Sequence, residues 1–218
     1  MSLLEGARLV AVDTETTGFD PSAGHELVEV ACVTITNGEP GETWSSLVWP
    51  TRPIPADAVK VHGITDAMVA GAPRPADIAA ELRRACGDVP LVFHNAPFDL
   101  PFLAVLLRAG GLPPLTNPII DTLGLARGIL AASENSLGAL ARQLQLPPET
   151  AHRAAGDART TARLLVKLAA RWEGKVGSIA ELAAVSQDWV RRTRRGPDRV
   201  DWKPPRGERA PEPAPSAR

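Results

Sequence analysis

The sequence is short of aromatic residues and of cysteine, and each shortage removes a class of function. Tyrosine is absent, which takes away one candidate for activating a water molecule, and all aromatics together make up 4% of the chain. The two cysteines, Cys32 and Cys86, fall in a predicted strand and a predicted helix, and nothing recommends them as a disulfide or a metal pair. No apolar run approaches the roughly 20 residues that cross a bilayer. The N-terminal stretch Met1-Ser2-Leu3-Leu4-Glu5-Gly6 lacks the charged-then-apolar layout of a secretory signal. A cytoplasmic protein without membrane contact is the expectation. Charge of one sign is also lacking, since 24 Lys and Arg against 25 Asp and Glu leave a formal net charge of −1. No whole-molecule field then draws in nucleic acid. Any such contact is local, which argues against a duplex-coating protein and permits an enzyme working at strand ends.

What is present suffices for one substantial domain: 218 residues with an ordinary hydrophobic share of 44%. Residues 7–13, 26–36 and 42–49 read as strands separated by turn formers. Pro75 to Cys86 has helical spacing, Leu91-Val92-Phe93 is a short apolar strand ending at His94, Leu100 to Leu107 is helical, and Ile119-Ile120-Asp121 is a last strand. Helices are predicted over 122–130, 136–145 and 157–172, the last with an apolar stripe through Ala158, Ala162, Leu165, Leu168, Ala169 and Trp172. Three meandering strands followed by alternating helices and strands make an α/β sandwich, its sheet covered on both faces. Residues 178–193 add an amphipathic helix that either caps the domain or docks onto a partner. After Gly196, prolines alternate with charges in a mix that builds no core. The expected division is a domain over 1–175, a C-terminal helix within 176–195 and a Pro-rich, disordered tail over 196–218.

Three short blocks carry the chemistry: Asp13-Thr14-Glu15-Thr16-Thr17-Gly18, His94-Asn95-Ala96-Pro97-Phe98-Asp99 and His152-Arg153-Ala154-Ala155-Gly156-Asp157. Taken singly, each has an ordinary explanation. Asp13 and Glu15 could open a turn, Asp99 could favour a helix macrodipole, and His152 with Asp157 could be a surface histidine and a capping acid. Asp13 and Glu15, however, follow the apolar run Leu9-Val10-Ala11-Val12, and side chains two apart on a strand point the same way. Both carboxylates are then expected to emerge at the strand's carboxyl end, where open α/β sheets place ligands. His152 and Asp157 converge only if the histidine sits on a loop and the aspartate in the first helical turn, with Gly156 making the bend. Taken jointly, four carboxylates gathered in one place repel by about 4 kcal/mol per pair at 4 Å in an effective dielectric of 20. Divalent cations relieve that repulsion. An all-oxygen ligand set favours Mg²⁺ or Mn²⁺ over zinc, and two such ions clamp the oxygens of a phosphoryl displacement. An imidazole titrates near neutrality and suits removal of a proton from water.

In their order, spacing and context these blocks resemble the DEDDh branch of the DnaQ-like 3′–5′ exonucleases. That family includes polymerase-proofreading subunits and RNA-trimming nucleases, and the resemblance spans about residues 7–172. It implies a ribonuclease H-like fold with a central mixed five-stranded sheet flanked by helices. By resemblance, Asp13, Glu15, Asp99 and Asp157 hold two Mg²⁺ or Mn²⁺ ions and His152 is the general base. Val61 and His62, within Val61-His62-Gly63-Ile64-Thr65, match a segment lining the pocket of the terminal nucleotide, and Thr16, Phe19, Asn95 and Phe98 match other contacts there. From the residues alone, His62 reads as a loop histidine beside a helix cap. Pro97 departs from the family, which favours a small residue there, and is expected to stiffen the approach to Asp99. The implied substrate is a single-stranded or frayed 3′ end of DNA, in proofreading or repair, with release of 5′-mononucleotides. The alternatives are an RNA-trimming exoribonuclease and a non-catalytic module binding nucleic acid or a replication partner. Attachment to a DNA polymerase would run through the C-terminal helix or tail. No full clamp-binding segment is present, Gln187-Asp188-Trp189 being too short a match, and Arg191, Arg192, Arg194 and Arg195 form a basic cluster near the helix end.

Overall fold

The computed structural model describes residues 2–130 and 132–195, with side chains as far as Arg192. The apolar run from Leu9 to Val12 lies inside strand β1 (Arg8–Thr16). Successive side chains of a strand face opposite ways, so Leu9 and Ala11 enter one hydrophobic cluster and Val10 and Val12 another. β1 pairs antiparallel with β2 (Leu27–Thr36), and β2 with β3 (Glu39–Leu47) across Asn37-Gly38, which take φ of 53° and 80°. Left-handed conformations at both turn residues suit a tight hairpin. On its other side β1 runs parallel to β4 (Leu91–Phe93), and β4 parallel to β5 (Ile119–Asp121), giving the order β3-β2-β1-β4-β5. This is the mixed five-stranded sheet that the family resemblance implies.

Helices α1 (Ala56–His62), α2 (Asp66–Val69) and α3 (Pro75–Cys86) stand between β3 and β4, and α4 (Ala96–Ala109) joins β4 to β5. After β5 come α5 (Thr122–Ile129), α6 (Leu137–Gln143), α7 (Ala154–Trp172) and α8 (Ile179–Arg195). One sheet face, carrying Leu9, Ala11, Ala31 and Val33, is covered by α7 through Ala158, Ala162 and Leu165. The other, carrying Val10, Val12 and Cys32, is covered by α3 and α4 through Leu82, Phe102 and Leu106. Cys32 and Cys86 meet there as buried free thiols in one cluster, a neighbourhood that their spacing did not suggest. Among the described residues no helix is long and apolar enough to cross a membrane.

Several boundaries differ from the sequence reading, each for a physical reason. β1 does not stop at Asp13, because β2 continues to pair with it as far as Thr16. Asp13 and Glu15 therefore lie within the strand, although β4 pairs only with Val10 and Ala11, so the acids still project beyond the parallel half of the sheet. α4 begins at Ala96 rather than Leu100. Pro97 sits in its first turn, where a missing N–H costs nothing, so it starts the helix instead of stiffening an approach to it. His62 ends α1 rather than lying in a loop, with Gly63 at φ 71° closing the helix; seven residues are too few to set up a visible period. α8 caps the domain: Leu182, Ala183 and Val190 are buried, and Ser186 Oγ accepts a hydrogen bond from the Asp121 N–H at 3.0 Å. The Pro-rich segment over 196–218 and the side chains of Arg194 and Arg195 lie outside the described residues.

Candidate active site

Asp13 and Glu15 continue the face of β1 that carries Leu9 and Ala11, and so look toward α7. Asp157 stands in the first turn of α7. One carboxylate oxygen from each of Asp13, Glu15 and Asp157 lies within 4.8 Å of the other two. Thr14 points to the opposite face, where its hydroxyl donates to Asp99 Oδ1 at 2.7 Å. Asp99 is buried in the first turn of α4 and stands outside the group of three, yet close enough for its charge to raise the pKa of Asp13.

Every one of these acids is held away from its ordinary titration. Burial, reinforced by Asp99, Asp157 and Glu15, pushes Asp13 well above the usual carboxylate range. Burial and then the charge of Asp157 push Glu15 up to about 8. Burial takes Asp99 to about 7 against the opposing Thr14 hydroxyl, and raises Asp157 against the His152 N–H. Four such groups do not ionise together without cations between them. The donors are all oxygen, which fits a hard divalent ion.

His152 precedes α7 on a loop, as the convergence argument required, and its N–H donates to Asp157 Oδ2 at 3.0 Å. The bend is made by His152 itself, at φ 56°, and not by Gly156. Gly156 lies inside α7, where an added Cβ would stand 2.0 Å from the Thr150 carbonyl oxygen, so glycine serves close backbone approach there. The loop is tied down at two further points. Glu149 pairs with Arg163, and Arg153 donates from Nε and Nη2 to Glu29 at 3.1 and 2.7 Å. Glu29 also accepts from the Ala154 N–H at 2.9 Å, capping α7 from a neighbouring strand. The sequence reading passed over Glu29, although a lone charge within Leu27-Val28-Glu29-Val30-Ala31 is an anomaly for a buried strand.

The other singled-out residues line the same end of the sheet. Thr16 is buried and its hydroxyl donates to the Gly18 carbonyl at 2.6 Å. His62 packs against the Thr16 backbone, with Nδ1 accepting from the Ile64 N–H at 3.0 Å, and burial lowers its pKa. Val61, its neighbour on α1, is exposed. Phe19 meets Phe98 edge-on at a centroid distance of 6.4 Å. Asn95 takes φ 77° at the start of α4, and its N–H donates to Asp121 at 3.1 Å. The Asp121 carboxylate also accepts from the N–H groups of Ala96, Leu123 and Gly124, tying together the starts of α4 and α5. His94 is structural: Thr122 Oγ1 and the Asn135 carbonyl lie 2.9 and 3.0 Å from its ring nitrogens, and burial takes its pKa down to about 4.

A family profile for exonucleases, RNase_T, matches residues 10–165, from β1 through most of α7. The chain belongs to this exonuclease family. It is 42% identical over 170 residues to a DNA polymerase III subunit epsilon-like protein of Rhodobacter capsulatus, covering 76% of this chain and 24% of that protein. It is 36% identical over 169 residues to the PolC-type DNA polymerase III of Bacillus subtilis, covering 76% of this chain and 12% of that one. The chain thus spans a quarter or less of those relatives. Exonuclease X, solved in complex with 5′-overhanging duplex DNA, superposes with a TM-score of 0.66 at 30% identity, covering 82% of this chain and 99% of that chain. Exonuclease I of E. coli, solved with single-stranded DNA, shares the fold with a TM-score of 0.68 at 18% identity, covering 77% and 42%. The fold is ribonuclease H-like, and membership in the family implies use of a divalent metal.

Proposed function

We propose that this domain is a 3′–5′ exonuclease that releases 5′-mononucleotides from single-stranded or frayed DNA ends, in proofreading or repair within the cytoplasm. The observation that carries the reading is the group of three carboxylates from β1 and α7, with Asp99 beside it and His152 bonded to Asp157. In this reading Asp13, Glu15, Asp99 and Asp157 hold two Mg²⁺ or Mn²⁺ ions. Bound there, such ions supply positive charge that offsets the charge developing on the phosphate oxygens.

The remaining work belongs to the chain's own groups. His152 takes a proton from the attacking water, from a loop fixed at Glu149, Arg153 and Gly156. Phe19, Phe98, Val61 and His62 bound the terminal nucleotide, and main-chain groups near Thr16 and Asn95 hold its sugar. Contact with aromatic faces is tolerant of base identity, so one site serves all four nucleotides. The DNA-bound states of exonucleases X and I and the polymerase affiliation of the relatives support a DNA substrate and a polymerase partner. Attachment to that partner, in this proposal, uses the outer face of α8 or the segment beyond it.

The test compares single-stranded, mispaired and matched DNA ends with an RNA oligomer of the same sequence, each with Mg²⁺ or EDTA. Metal-dependent release from unpaired DNA ends with RNA spared supports the proposal. Preference for RNA makes the domain a trimming exoribonuclease, and binding without release from either makes it a non-catalytic module.

A further inference from the structure

The large apolar side chains that are exposed among the described residues are Phe19, Trp49, Val61, Met68 and Val105. Exposed apolar groups that gather in one place mark a contact surface, and three of these five border one feature. Phe98, Phe102 and Val105 follow each other at i, i+4 and i+7 on α4, forming one stripe about 10 Å long at 1.5 Å per residue. Phe19 stands edge-on to Phe98, and Phe98 lies 5.6 Å from Phe102 between ring centroids. Phe102 is buried and lines a recess of about 80 Å³ walled by Val105, Leu106, Leu27 and Trp49. The stripe therefore leads from the proposed terminal-nucleotide contacts to a second apolar site. The recess is too small to engulf a base, but it leaves a half-open platform between Trp49 and Val105.

The rim of this platform is cationic. The Arg74 guanidinium lies 3.9 Å over the Trp49 ring, held by bonds to the carbonyls of Trp49 and Pro50 at 3.1 and 2.8 Å. Arg52 follows Thr51, which lines the recess, and its Nη1 lies 2.8 Å from where a Cβ on Gly24 would stand. The acid at the recess, Glu26, is engaged at 2.5 Å by both the N–H and the hydroxyl of Thr51. An aromatic surface flanked by guanidinium groups is the chemistry that holds unpaired nucleotides, the ring stacking on a base and the cations meeting phosphates.

We propose that the platform over this recess is a second nucleotide subsite, taking an unpaired base of the substrate strand at least two nucleotides 5′ of the terminal one, beyond the reach of a dinucleotide. Arg74 covers one face of Trp49, so the base stacks on the other, and Arg52 and Arg74 meet its phosphates. The occupant is the scissile strand itself, because the apolar stripe is continuous with the terminal-nucleotide contacts. The proposal rests on the exonuclease reading of the neighbouring acids.

The test is equilibrium binding of thymidine oligomers of two, four and six nucleotides, by competition with a labelled hexamer in Mg²⁺. It uses the non-cleaving Asp157→Asn background with Trp49, Trp49→Ala or Trp49→Phe. Trp49→Ala weakens the hexamer about 5-fold or more, the low end for base-on-aromatic stacking, and the dimer less than 2-fold, and Trp49→Phe restores most of the loss. Should Trp49→Ala fail to fold by thermal melting, Val105→Glu at an exposed helix position gives the same length-selective loss. A loss equal at all lengths, or none for the hexamer, overturns the subsite. Length-selective binding in a protein whose wild type hydrolyses nothing overturns the exonuclease reading alone. Hydrolysis by a wild type whose affinity ignores Trp49 overturns the subsite alone, and no binding of any oligomer overturns both.

Discussion

Replacing Glu29 with alanine takes away the carboxylate that fixes the start of α7, and the structure sets the size of the effect. Three donors lose their acceptor: Arg153 Nε, Arg153 Nη2 and the Ala154 N–H. The Arg153 side chain is 36% exposed, so water takes over its two bonds and little of their strength is lost. The Ala154 N–H is buried, and an orphaned buried donor costs about 1–3 kcal/mol. Part of that is returned, because the Glu29 charge raises the pKa of Asp13, Glu15 and Asp157 and its removal eases their repulsion. The net expectation is a loss of about 1–2 kcal/mol, or about 2–8 °C in Tm for a domain of this size. Urea titration and calorimetry measure the stability, and steady-state hydrolysis of single-stranded DNA measures the catalytic effect. Turnover should fall together with stability, since His152 immediately precedes the clamped Arg153. Glu29→Gln keeps an acceptor for Ala154 and should lose less than half as much. A stability loss below about 0.5 kcal/mol with unchanged turnover would refute this account of the loop.

Three further outcomes follow from the same geometry. Asp13→Asn should abolish hydrolysis while leaving the melting temperature in EDTA equal to or above that of wild type, because one repelling charge is gone. Stability without metal should depend on pH in a defined sense. Asp13, Glu15, Asp99 and Asp157 have folded pKa values above their unfolded ones, so the native state binds more protons. The contribution of these four groups in EDTA is then fully present below the ordinary carboxylate range and is lost as pH rises toward about 8, the value for Glu15, so between pH 5 and 8.5 stability falls, with Mg²⁺ restoring it at the upper end. Thermal melts at pH 5 and 8.5, with and without Mg²⁺, check this, and a flat profile in EDTA would contradict it. Gly156→Ala should push Thr150 and the His152 loop aside, costing about 1–3 kcal/mol and at least about 10-fold in turnover, read by melting and kinetics.

Much of the sheet was legible because its strands announce themselves in simple ways. Leu91–Phe93 and Ile119–Asp121 are short apolar runs, and α3 carries its period from Pro75 to Cys86. The three acid and histidine blocks were legible because spacing on a strand and at a helix start restricts where carboxylates point. Tertiary pairing supplied what was hidden. β1 extends to Thr16 only because β2 stays beside it, and α1 and α2 are too short to show a period. Asp99 stands outside the group of three and is bonded by Thr14; strand alternation places Thr14 on the face opposite Asp13 and Glu15, but only the fold brings Asp99 to it. Glu29 lies far in sequence from the loop that it clamps. Only the hydrogen bonds from Arg153 and Ala154 reveal its task.

The most direct measurement follows 5′-labelled single-stranded DNA through digestion with Mg²⁺ by wild type and by Asp13→Asn, with products resolved by size. The account predicts a ladder that shortens one nucleotide at a time from the 3′ end in wild type and no cleavage with Asp13→Asn. Release of the labelled 5′ nucleotide first, or an undiminished ladder from Asp13→Asn, would contradict it.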